Sequence, residues 1–391
     1  MRKFCSSMAA LTLMTTIAGI IMMAQNSDLF AIPAFARKYN MSCTTCHDPF
    51  PRLKAYGDEF AGNGFVLKEK DAARYFTDTG DKNLSLIRDL PFALRLEGYI
   101  THDTEVDHAV DFTSPYLVKL LSGGSLGKNV SYYFYFFLSE RGEVAGLEDA
   151  FVMFNNLGGS ELDIYVGQFQ VSDPLFKREL RLPLEDYQVY RVKPFGSNLN
   201  LTYDRGIMAT YGLSTGTDIA LEVINGSGIE AANADRLYDD DKYKAVMGRI
   251  SQDLPQVVRI GGFAYYGKEE MALSAVNRVT MLGPDLTLAL DRVKVNLQYI
   301  ERRDKIVGSS DNNETRGAIA EIVYWPKGDA SRWYATGLFN WVESDDPDLK
   351  YRTMTGHVGH LLQTNFRIVT ELRYDLDAEE FKLVGGFIAA F

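Results

Sequence analysis

From about Leu90 to the C-terminus, apolar and polar residues alternate with a period of two, the pattern of a half-buried strand. In the first such stretch, one face would carry the apolar side chains of Phe92, Leu94, Leu96 and Ile100. The other face would carry the polar side chains of Arg95, Glu97 and Thr101. The alternation recurs in 366–374 and 381–391. We count roughly sixteen segments of about 9–13 residues, close to the length that a tilted strand needs to cross a bilayer. The pattern predicts an all-β fold.

The connections between these segments alternate between long and short. The long ones are 102–113, 172–199, 225–242, 267–275, 302–315 and 343–349, and the short ones include 155–160, 214–217, 253–256, 291–292 and 362–365. Outer-membrane barrels have tight periplasmic turns, longer outer loops and an even strand count, so we expect a transmembrane antiparallel β-barrel of about 16 strands over 90–391. A soluble β-rich protein is the alternative, and it would have to bury its apolar strand faces against one another.

The longest of these connections, 172–199, is unusually apolar for a solvated loop. It holds Phe176, Leu180, Leu182, Tyr187 and Tyr190 together with Lys177, Arg178, Arg181, Arg191 and Lys193. We expect it to fold into the lumen and to narrow it. Packing on the outer rim is the alternative.

The unit Cys43-Thr44-Thr45-Cys46-His47 holds two of the three cysteines in the chain. Two thiols at this spacing, followed by a histidine, form the attachment pattern of a c-type haem, in which the histidine ligates the iron. A zinc site would need a second pair of ligands at matching spacing, and a redox dithiol would need a βαβ context. The sequence offers neither, so we predict one covalent haem c with His47 as the proximal ligand.

The residues before the barrel divide into two parts. Residues 1–31 have the features of an export signal, with a basic start, an apolar run over 8–24, and cleavage options after Ala24 or Ala31. Residues 32–89 then form the haem-binding segment and a linker. So short a segment cannot cover both faces of a haem. We therefore expect it to plug the barrel lumen, where the wall would cover the cofactor.

Short motifs surround the haem unit. They are Ile-Pro-Ala-Phe-Ala-Arg at 32–37, Pro-Arg-Leu-Lys-Ala-Tyr-Gly at 51–57 and Gly-Asn-Gly-Phe at 62–65. With the haem unit, they resemble the fused monohaem cytochrome–porins, the outer-membrane iron-oxidising cytochromes of iron bacteria. Lys38-Tyr39 replaces the usual Gln-Thr of that family, and Tyr56 replaces a Phe. The resemblance implies electron transfer across the outer membrane, from extracellular Fe(II) to a periplasmic cytochrome, with possible Fe(II) oxidase activity.

The sequence leaves several candidates for the distal haem ligand. His360 and His357 lie near the short-turn end of a late strand, on opposite faces by parity, so at most one can face inward. His102 and His108 fall in the first long loop. Five strand methionines are further candidates, although most such residues serve packing: Met153, Met208, Met247, Met281 and Met354. Arg37 is expected either to pair with a haem propionate or to be solvated.

The net charge of −11 argues against a nucleic-acid partner. The outer loops are rich in carboxylates, which could attract Fe(II) or, more simply, form a solvated, repulsive outer surface that Mg or Ca bridges to lipopolysaccharide. These are Asp103, Glu105, Asp107, Asp111, Asp235, Asp239, Asp240, Asp241, Asp345, Asp346, Asp348, Asp375, Asp377, Glu379 and Glu380. Other functions stay open: a diffusion porin with a structural or sensory haem, a haem peroxidase, and electron export to an extracellular acceptor.

Overall fold

The computed structural model describes residues 34–39, 41–47, 52–67, 76–77, 79–81, 84, 86–87, 90–104, 110–176, 182–255, 257–271 and 274–391. The predicted signal peptide, 1–31, lies outside these residues. Among the residues described, no helix is long and apolar enough to cross a membrane.

In this part of the chain, sixteen antiparallel strands close into a barrel, and each pairs with its neighbours along the chain. A short hairpin of β1 (Phe76–Thr77) and β2 (Leu86–Ile87) precedes it. The barrel strands are β3 (Phe92–Asp103), β4 (Val110–Gly127), β5 (Val130–Glu140), β6 (Gly146–Phe154), β7 (Leu162–Gln170), β8 (Tyr203–Gly212), β9 (Thr217–Ile224), β10 (Ala245–Leu254), β11 (Val258–Glu270), β12 (Val276–Ala289), β13 (Val293–Ile306), β14 (Asn312–Tyr324), β15 (Trp333–Ser344), β16 (Tyr351–Gln363), β17 (Phe366–Asp375) and β18 (Glu380–Ala390). Closure comes from pairing of β18 with β3. The predicted sixteen-stranded barrel is confirmed.

Alternate residues of each strand point to opposite sides of the barrel wall. On β16, Thr353, Thr355 and His357 are buried inside, whereas Met354 and Val358 are exposed outside. Other exposed wall positions carry similar apolar side chains, including Ile207, Leu221, Val246, Ile250, Ile260, Leu282, Leu297, Ile322 and Leu372. An apolar outer face around a partly polar interior is what a bilayer requires of a barrel. This pattern supports the predicted outer-membrane localisation.

Connection lengths agree with the prediction only in part. The long connections 171–202 and 225–244 lie at one rim, which we call the long-loop rim, and the turns 128–129 and 364–365 lie at the opposite, short-turn rim. Most of 302–315, and the first four residues of 267–275, were predicted as long loops but belong to strands. These stretches are polar because side chains such as Arg302 and Asp304 point into the lumen, where they pair with each other. By the rule for outer-membrane barrels, the short-turn rim is periplasmic.

The connection 171–202, called the lumen loop below, folds into the barrel. Its described apolar residues form one buried cluster with inward-facing residues from every strand between β8 and β15. The loop members are Val171, Leu175, Phe176, Leu182, Tyr187, Val189, Tyr190, Val192, Leu199 and Leu201. Arg302 also donates hydrogen bonds to the carbonyl oxygens of Val192 (3.0 Å) and Leu199 (2.6 Å). The expected inward fold of this loop is confirmed.

The N-terminal segment, meaning the described residues between 34 and 67, is helical. It contains an α-helix at Ala34–Tyr39, a 3₁₀ turn at Cys43–Thr45 and a second α-helix at Ala55–Gly62. The chain enters the barrel from this segment at the start of β3. Because β3 begins at the short-turn rim, the segment lies at that end of the molecule.

Candidate functional site

The Cys-Thr-Thr-Cys-His unit is wound into a tight turn. Ser42 begins it, since its hydroxyl accepts a hydrogen bond from the backbone N–H of Thr44 over 3.4 Å. The backbone N–H of His47 donates to the carbonyl of Cys43 over 2.9 Å. The chain then returns, because Leu53 pairs with His47 in an isolated β-bridge and the N–H of Lys54 donates to the carbonyl of Cys46 over 2.8 Å. The predicted ligand residues are thus held in one compact loop.

The helix Ala55–Gly62 packs directly on the backbone of this loop. A Cβ atom added at Gly57 would lie 2.4 Å from the carbonyl oxygen of Cys46 and 2.9 Å from the side chain of Leu53. Real Cβ atoms do not approach other atoms so closely, so only glycine fits here. Gly57 ends the motif at 51–57, and its contact explains why this motif follows the haem unit so closely.

Four aromatic rings form the small core of the N-terminal segment: Phe35, Tyr39, Phe60 and Phe65. The ring centroids lie 5.4 Å apart for Phe35 and Phe60, 5.1 Å for Phe35 and Phe65, and 5.5 Å for Tyr39 and Phe60. The hydroxyl of Tyr39 donates to the carbonyl of Phe65 over 2.9 Å. Tyr39 is therefore a core residue of the segment.

The N-terminal segment docks on the inner face of the barrel wall. Phe65 stacks on Tyr133, an inward-facing residue of β5, with centroids 5.1 Å apart. Asn155 donates from its side chain to the carbonyl of Gly62 over 2.9 Å. A Cβ at Gly64, whose φ is +72°, would lie 2.4 Å from the hydroxyl of Ser131 and 2.6 Å from the side-chain oxygen of Asn155. The motif at 62–65 is thus shaped for close approach to the wall.

Arg37 contributes a further contact with the wall. Its guanidinium donates to the carbonyl of Phe92, the first residue of β3, and the side chain is exposed at the rim. This contact ties the first helix of the N-terminal segment to the start of the barrel. A role toward a haem propionate stays a prediction.

A cavity of about 760 Å³ lies beside the haem unit, between the N-terminal segment, the lumen loop and the wall. Its apolar lining comes from Leu53, Leu175, Phe176, Leu254, Val257, Val258 and Val323, and its basic lining from Arg52, Lys54, Arg249, Arg259 and Lys294. Carboxylates also line it: Asp58, Asp173, Asp218, Asp253 and Glu321. The guanidinium of Arg52 lies 4.7 Å from the ring centroid of Trp325. The cavity therefore combines apolar surface with several cations.

Both thiols of the unit are free and half-buried. Burial raises the pKa of Cys43 above its usual value. Burial likewise raises the pKa of Cys46, with a smaller contribution from the neighbouring Cys43. The two side chains are thus protonated at neutral pH in the haem-free chain, and no disulfide joins them.

The two histidine candidates for the distal ligand lie on opposite faces of β16, as their parity predicts. His357 faces the lumen and is 2% exposed, with Nδ1 2.8 Å from a carboxylate oxygen of Glu371 and Nε2 3.3 Å from the hydroxyl of Tyr334. His360 lies on the outer side, its ring centroid 4.0 Å from that of Trp333. Of the two, only His357 points inward, and both of its ring nitrogens contact protein groups.

Four of the five strand methionines face the lumen. Met208, Met247 and Met281 are buried in the cluster with the lumen loop. Met153, which is 1% exposed, lies opposite Ser131 in the strand register and so next to a wall residue that the N-terminal segment contacts. Met354 is 56% exposed on the outer face. The distal ligand stays a prediction, with Met153 placed nearest to the segment by register.

His102 is buried at the end of β3, with its ring 5.8 Å from that of Phe381. His108, like Glu105 and Asp107, lies outside the described residues.

The described carboxylates at the long-loop rim are engaged locally. Asp103 pairs with Lys382 over 2.6 Å, Asp375 pairs with Arg373 over 3.2 Å, and Asp346 accepts the N–H of Asp348 over 3.0 Å. Among the described residues, no group of three or more His, Cys, Asp or Glu side chains is arranged to hold a metal ion. The structure thus gives no support to a dedicated Fe(II) site in these loops.

Several residues that build the site carry no signal of their own in the sequence. Asn155, Ser131 and Tyr133 belong to the barrel wall, far along the chain from the residues they hold. Their roles depend on which wall positions face the N-terminal segment, and that requires the strand register. Gly57 and Gly64 are easier to identify from the sequence, because each belongs to a short motif close to the haem unit.

Comparisons with known proteins give the fold. No protein-family model matches the sequence, and no curated protein matches it. The chain is similar in structure to an anion-selective porin from Comamonas acidovorans, with a TM-score of 0.58, 11% identity, and coverage of 78% of this chain and 99% of that one. A loop L8 deletion mutant of OmpT, an outer membrane protein of Vibrio cholerae, has a TM-score of 0.56, 9% identity, and coverage of 78% and 99%.

The outer membrane channel DcaP of Acinetobacter baumannii is also similar, with a TM-score of 0.54, 12% identity, and coverage of 78% of this chain and 97% of that one. At such low identities the likeness shows a porin-like barrel fold. What passes through or along the barrel has to be inferred from this chain's own residues.

Proposed function

We propose that this protein is an outer-membrane monohaem cytochrome–porin that carries electrons across the membrane. An external reductant, with Fe(II) favoured, would supply electrons at the long-loop rim, and a soluble periplasmic cytochrome would accept them at the short-turn rim. One observation carries the proposal. Cys43, Cys46 and His47 lie on a segment docked inside the mouth of the barrel, next to a cavity bounded by the wall and the lumen loop.

The residues around the motif suit a haem c. Two unbridged thiols can form thioethers, and the histidine that follows can ligate the iron. The cavity offers apolar side chains such as Leu53 and Val258 to a macrocycle, and cations such as Arg52 and Lys54 to its carboxylates. A bound haem would supply a one-electron Fe(III)/Fe(II) couple. The chain would hold that couple, shield it from water and connect it to both rims.

The lumen loop makes the barrel suitable as a housing. Tyr187, Val189 and Tyr190 are almost fully buried against the wall. Glu185 anchors this part of the loop, since it accepts hydrogen bonds from Asn340 (2.7 Å) and Arg373 (2.9 Å). A solute that crossed the barrel would have to move past this packed cluster. An electron would not, because its transfer needs no open channel.

A diffusion porin with a structural or sensory haem is the second candidate, favoured by the likeness to plain porins. Conductance in planar bilayers separates the two functions. Electron carriage requires no open passage, so it predicts little conductance from the intact protein, whose lumen loop packs inside the barrel. Porin-like conductance together with a haem that no external reductant reduces would favour the second candidate.

The proposal is tested on protein purified in detergent. We expect a c-type optical spectrum, a reversible one-electron titration, and reduction by added Fe(II) without rapid peroxide turnover. Rapid peroxide turnover would indicate a haem enzyme. A colourless protein, or a haem inert to Fe(II) and to every other outer-membrane-impermeant reductant, would overturn the proposal. The measured potential also shows whether electrons run inward or toward an extracellular acceptor.

A further inference from the structure

A stack of aromatic side chains runs along the inner wall from the N-terminal segment. Phe65 stacks on Tyr133 at 5.1 Å with an interplanar angle of 20°, and Tyr133 meets Tyr135 edge to face at 6.1 Å. The hydroxyl of Tyr135 is hydrogen-bonded to that of Tyr203. We propose that this aromatic stack, Phe65–Tyr133–Tyr135–Tyr203, is the electron path between the long-loop rim and the haem site. The inference rests on the function proposed above.

The stack joins the two ends of the barrel. β5 leaves the turn 128–129 at the short-turn rim and runs to the long-loop rim, so Tyr133 and Tyr135 are successive inward positions along that direction. Tyr203 is the first residue of β8, directly after the lumen loop, and therefore lies at the long-loop end. The aromatic stack thus begins at the N-terminal segment and ends where the outer loops begin.

The outer half of the stack is buried. Tyr135 is 7% exposed and Tyr203 is 9% exposed, and both belong to one buried cluster with Leu117 and Phe137. Contacting π systems couple electronically better than aliphatic side chains or water gaps of the same length. The rings of Phe65, Tyr133 and Tyr135 are in contact in sequence, and the hydrogen bond between the hydroxyls of Tyr135 and Tyr203 completes the bridge.

The surroundings of Tyr135 suit a bridge that is not itself oxidised. The ammonium of Lys119 lies 3.3 Å from its ring centroid, and its hydroxyl donates to Glu148 over 2.9 Å. A cation over the ring opposes removal of an electron from it and favours a passing negative charge. In each event one electron leaves an external one-electron reductant, such as Fe(II) becoming Fe(III), and that electron reduces the iron held by His47 from ferric to ferrous. The tyrosines keep their protons and undergo no net change.

At the outer end, the loop 225–244 continues the stack toward solvent. Ile229 packs on the cluster that contains Tyr203. Arg205 donates to the carbonyls of Gly228, Ile229 and Glu230, and its guanidinium lies 3.9 Å from the ring centroid of Tyr238. Tyr238 is half exposed. The same loop therefore connects the buried tyrosines with the external surface.

The test places an electron donor at a fixed point on this loop. The exposed Ala232 is changed to Cys in the haem-loaded protein and labelled with a ruthenium polypyridine complex, whose flash-excited state is a one-electron reductant. An aromatic amine that does not reduce the haem in the dark restores the oxidised label. The rate of iron reduction after the flash is read optically. Each variant is also measured for its haem spectrum and reduction potential.

Tyr135→Leu is expected to slow the flash-induced reduction several-fold, with the spectrum and the potential unchanged. Tyr135→Phe keeps the ring contact with Tyr133 and removes the hydrogen bond to Tyr203, so its rate should lie between those of Tyr135→Leu and the parent protein. Tyr265→Leu is the matched control, since Tyr265 is equally buried in the lumen but takes no part in the aromatic stack. Where Tyr135→Leu does not fold, Tyr203→Leu replaces it.

Equal rates in Tyr135→Leu and Tyr265→Leu would overturn the path. A slower rate in Tyr135→Phe than in Tyr135→Leu would do the same, because the ring of Tyr135 would then contribute nothing to the path. The proposed function fails in a different way: the iron would then accept no electron from the label in any variant.

Discussion

Two parts of the chain enter the lumen, and they are held in different ways. The lumen loop shares one large apolar cluster with nine strands, β7 to β15, and is also held by buried polar contacts of its Glu185 and of Arg302 from β13. The N-terminal segment has a small aromatic core and touches the wall through one ring stack and a few hydrogen bonds. The lumen loop is thus an integral part of the barrel, whereas the N-terminal segment is a docked body that relies on the wall for cover.

The largest expected effect separates the cofactor from the fold. Changing both Cys43 and Cys46 to Ala should abolish covalent haem completely, because no thiol remains to form a thioether. The barrel should still fold, since its strands and lumen loop do not depend on the segment. Haem staining after denaturing electrophoresis measures the loss, and heat-modifiable mobility reports the barrel. A double variant that still stains for haem would contradict the assignment.

The second prediction concerns the anchor of the lumen loop. Glu185→Ala removes the nearer carboxylate partner of Arg373 and leaves only Asp375, 3.2 Å away; the loss of one hydrogen bond to a charged group typically destabilises a protein by about 1.5–3 kcal/mol. Urea unfolding in detergent measures the change, and bilayer conductance should rise as the loop loosens. Asp377→Ala is the matched control, because Asp377 pairs with Arg352 at the exposed rim and should contribute only about 0–1 kcal/mol. Equal effects of the two changes would show that the loop is not anchored as described.

A smaller effect is expected within the N-terminal segment. Gly57→Ala would push the helix away from the carbonyl of Cys46, an overpacking that typically costs about 1–3 kcal/mol. Gly62→Ala lies in the same helix with no atom within 4 Å of the added Cβ, and it should be neutral or slightly stabilising. Limited proteolysis of the segment and the yield of haem-loaded protein compare the two. Equal behaviour would mean that the close contact at Gly57 is absent.

The smallest expected effect is a shift in the pH at which the two thiols begin to react. Burial raises the pKa values of Cys43 and Cys46, so less thiolate is present at a given pH than for an ordinary cysteine. In the haem-free protein, alkylation by iodoacetamide should therefore rise with pH later than in a short peptide of the same unit. Stopped-flow or mass-spectrometric rates across pH measure this. A midpoint at or below that of the peptide would contradict the burial of the thiols.

Much of the barrel could be predicted, because apolar and polar residues alternate along each strand with a period of two. The alternation in β3 and β18 gave the strand type, and the connection lengths gave the even count. The polar stretches in β13 and β14 were wrongly predicted to be loops. Polar residues such as Arg302 pair inside the lumen, although in the sequence they resemble residues exposed to solvent. A single sequence does not show which polar residues find buried partners.

The site could be predicted only as far as its local motif reaches. Cys43, Cys46 and His47 stand together in the sequence. The wall residues that receive the segment are distant along the chain, since Tyr133 lies on β5 and Asn155 directly follows β6. Parity along the strand placed His357 and His360 on opposite faces of β16. It did not show which of the two histidines faces inward. That choice depends on the register of the closed barrel.

The central claim is that a haem c is attached to the N-terminal segment inside the barrel mouth. Mass spectrometry of the purified, protease-digested protein tests it most directly, with the absorption of each peptide recorded during separation. The account predicts that the peptide holding Cys43 and Cys46 carries one haem through two thioether bonds. A colourless peptide with two unmodified thiols would contradict it.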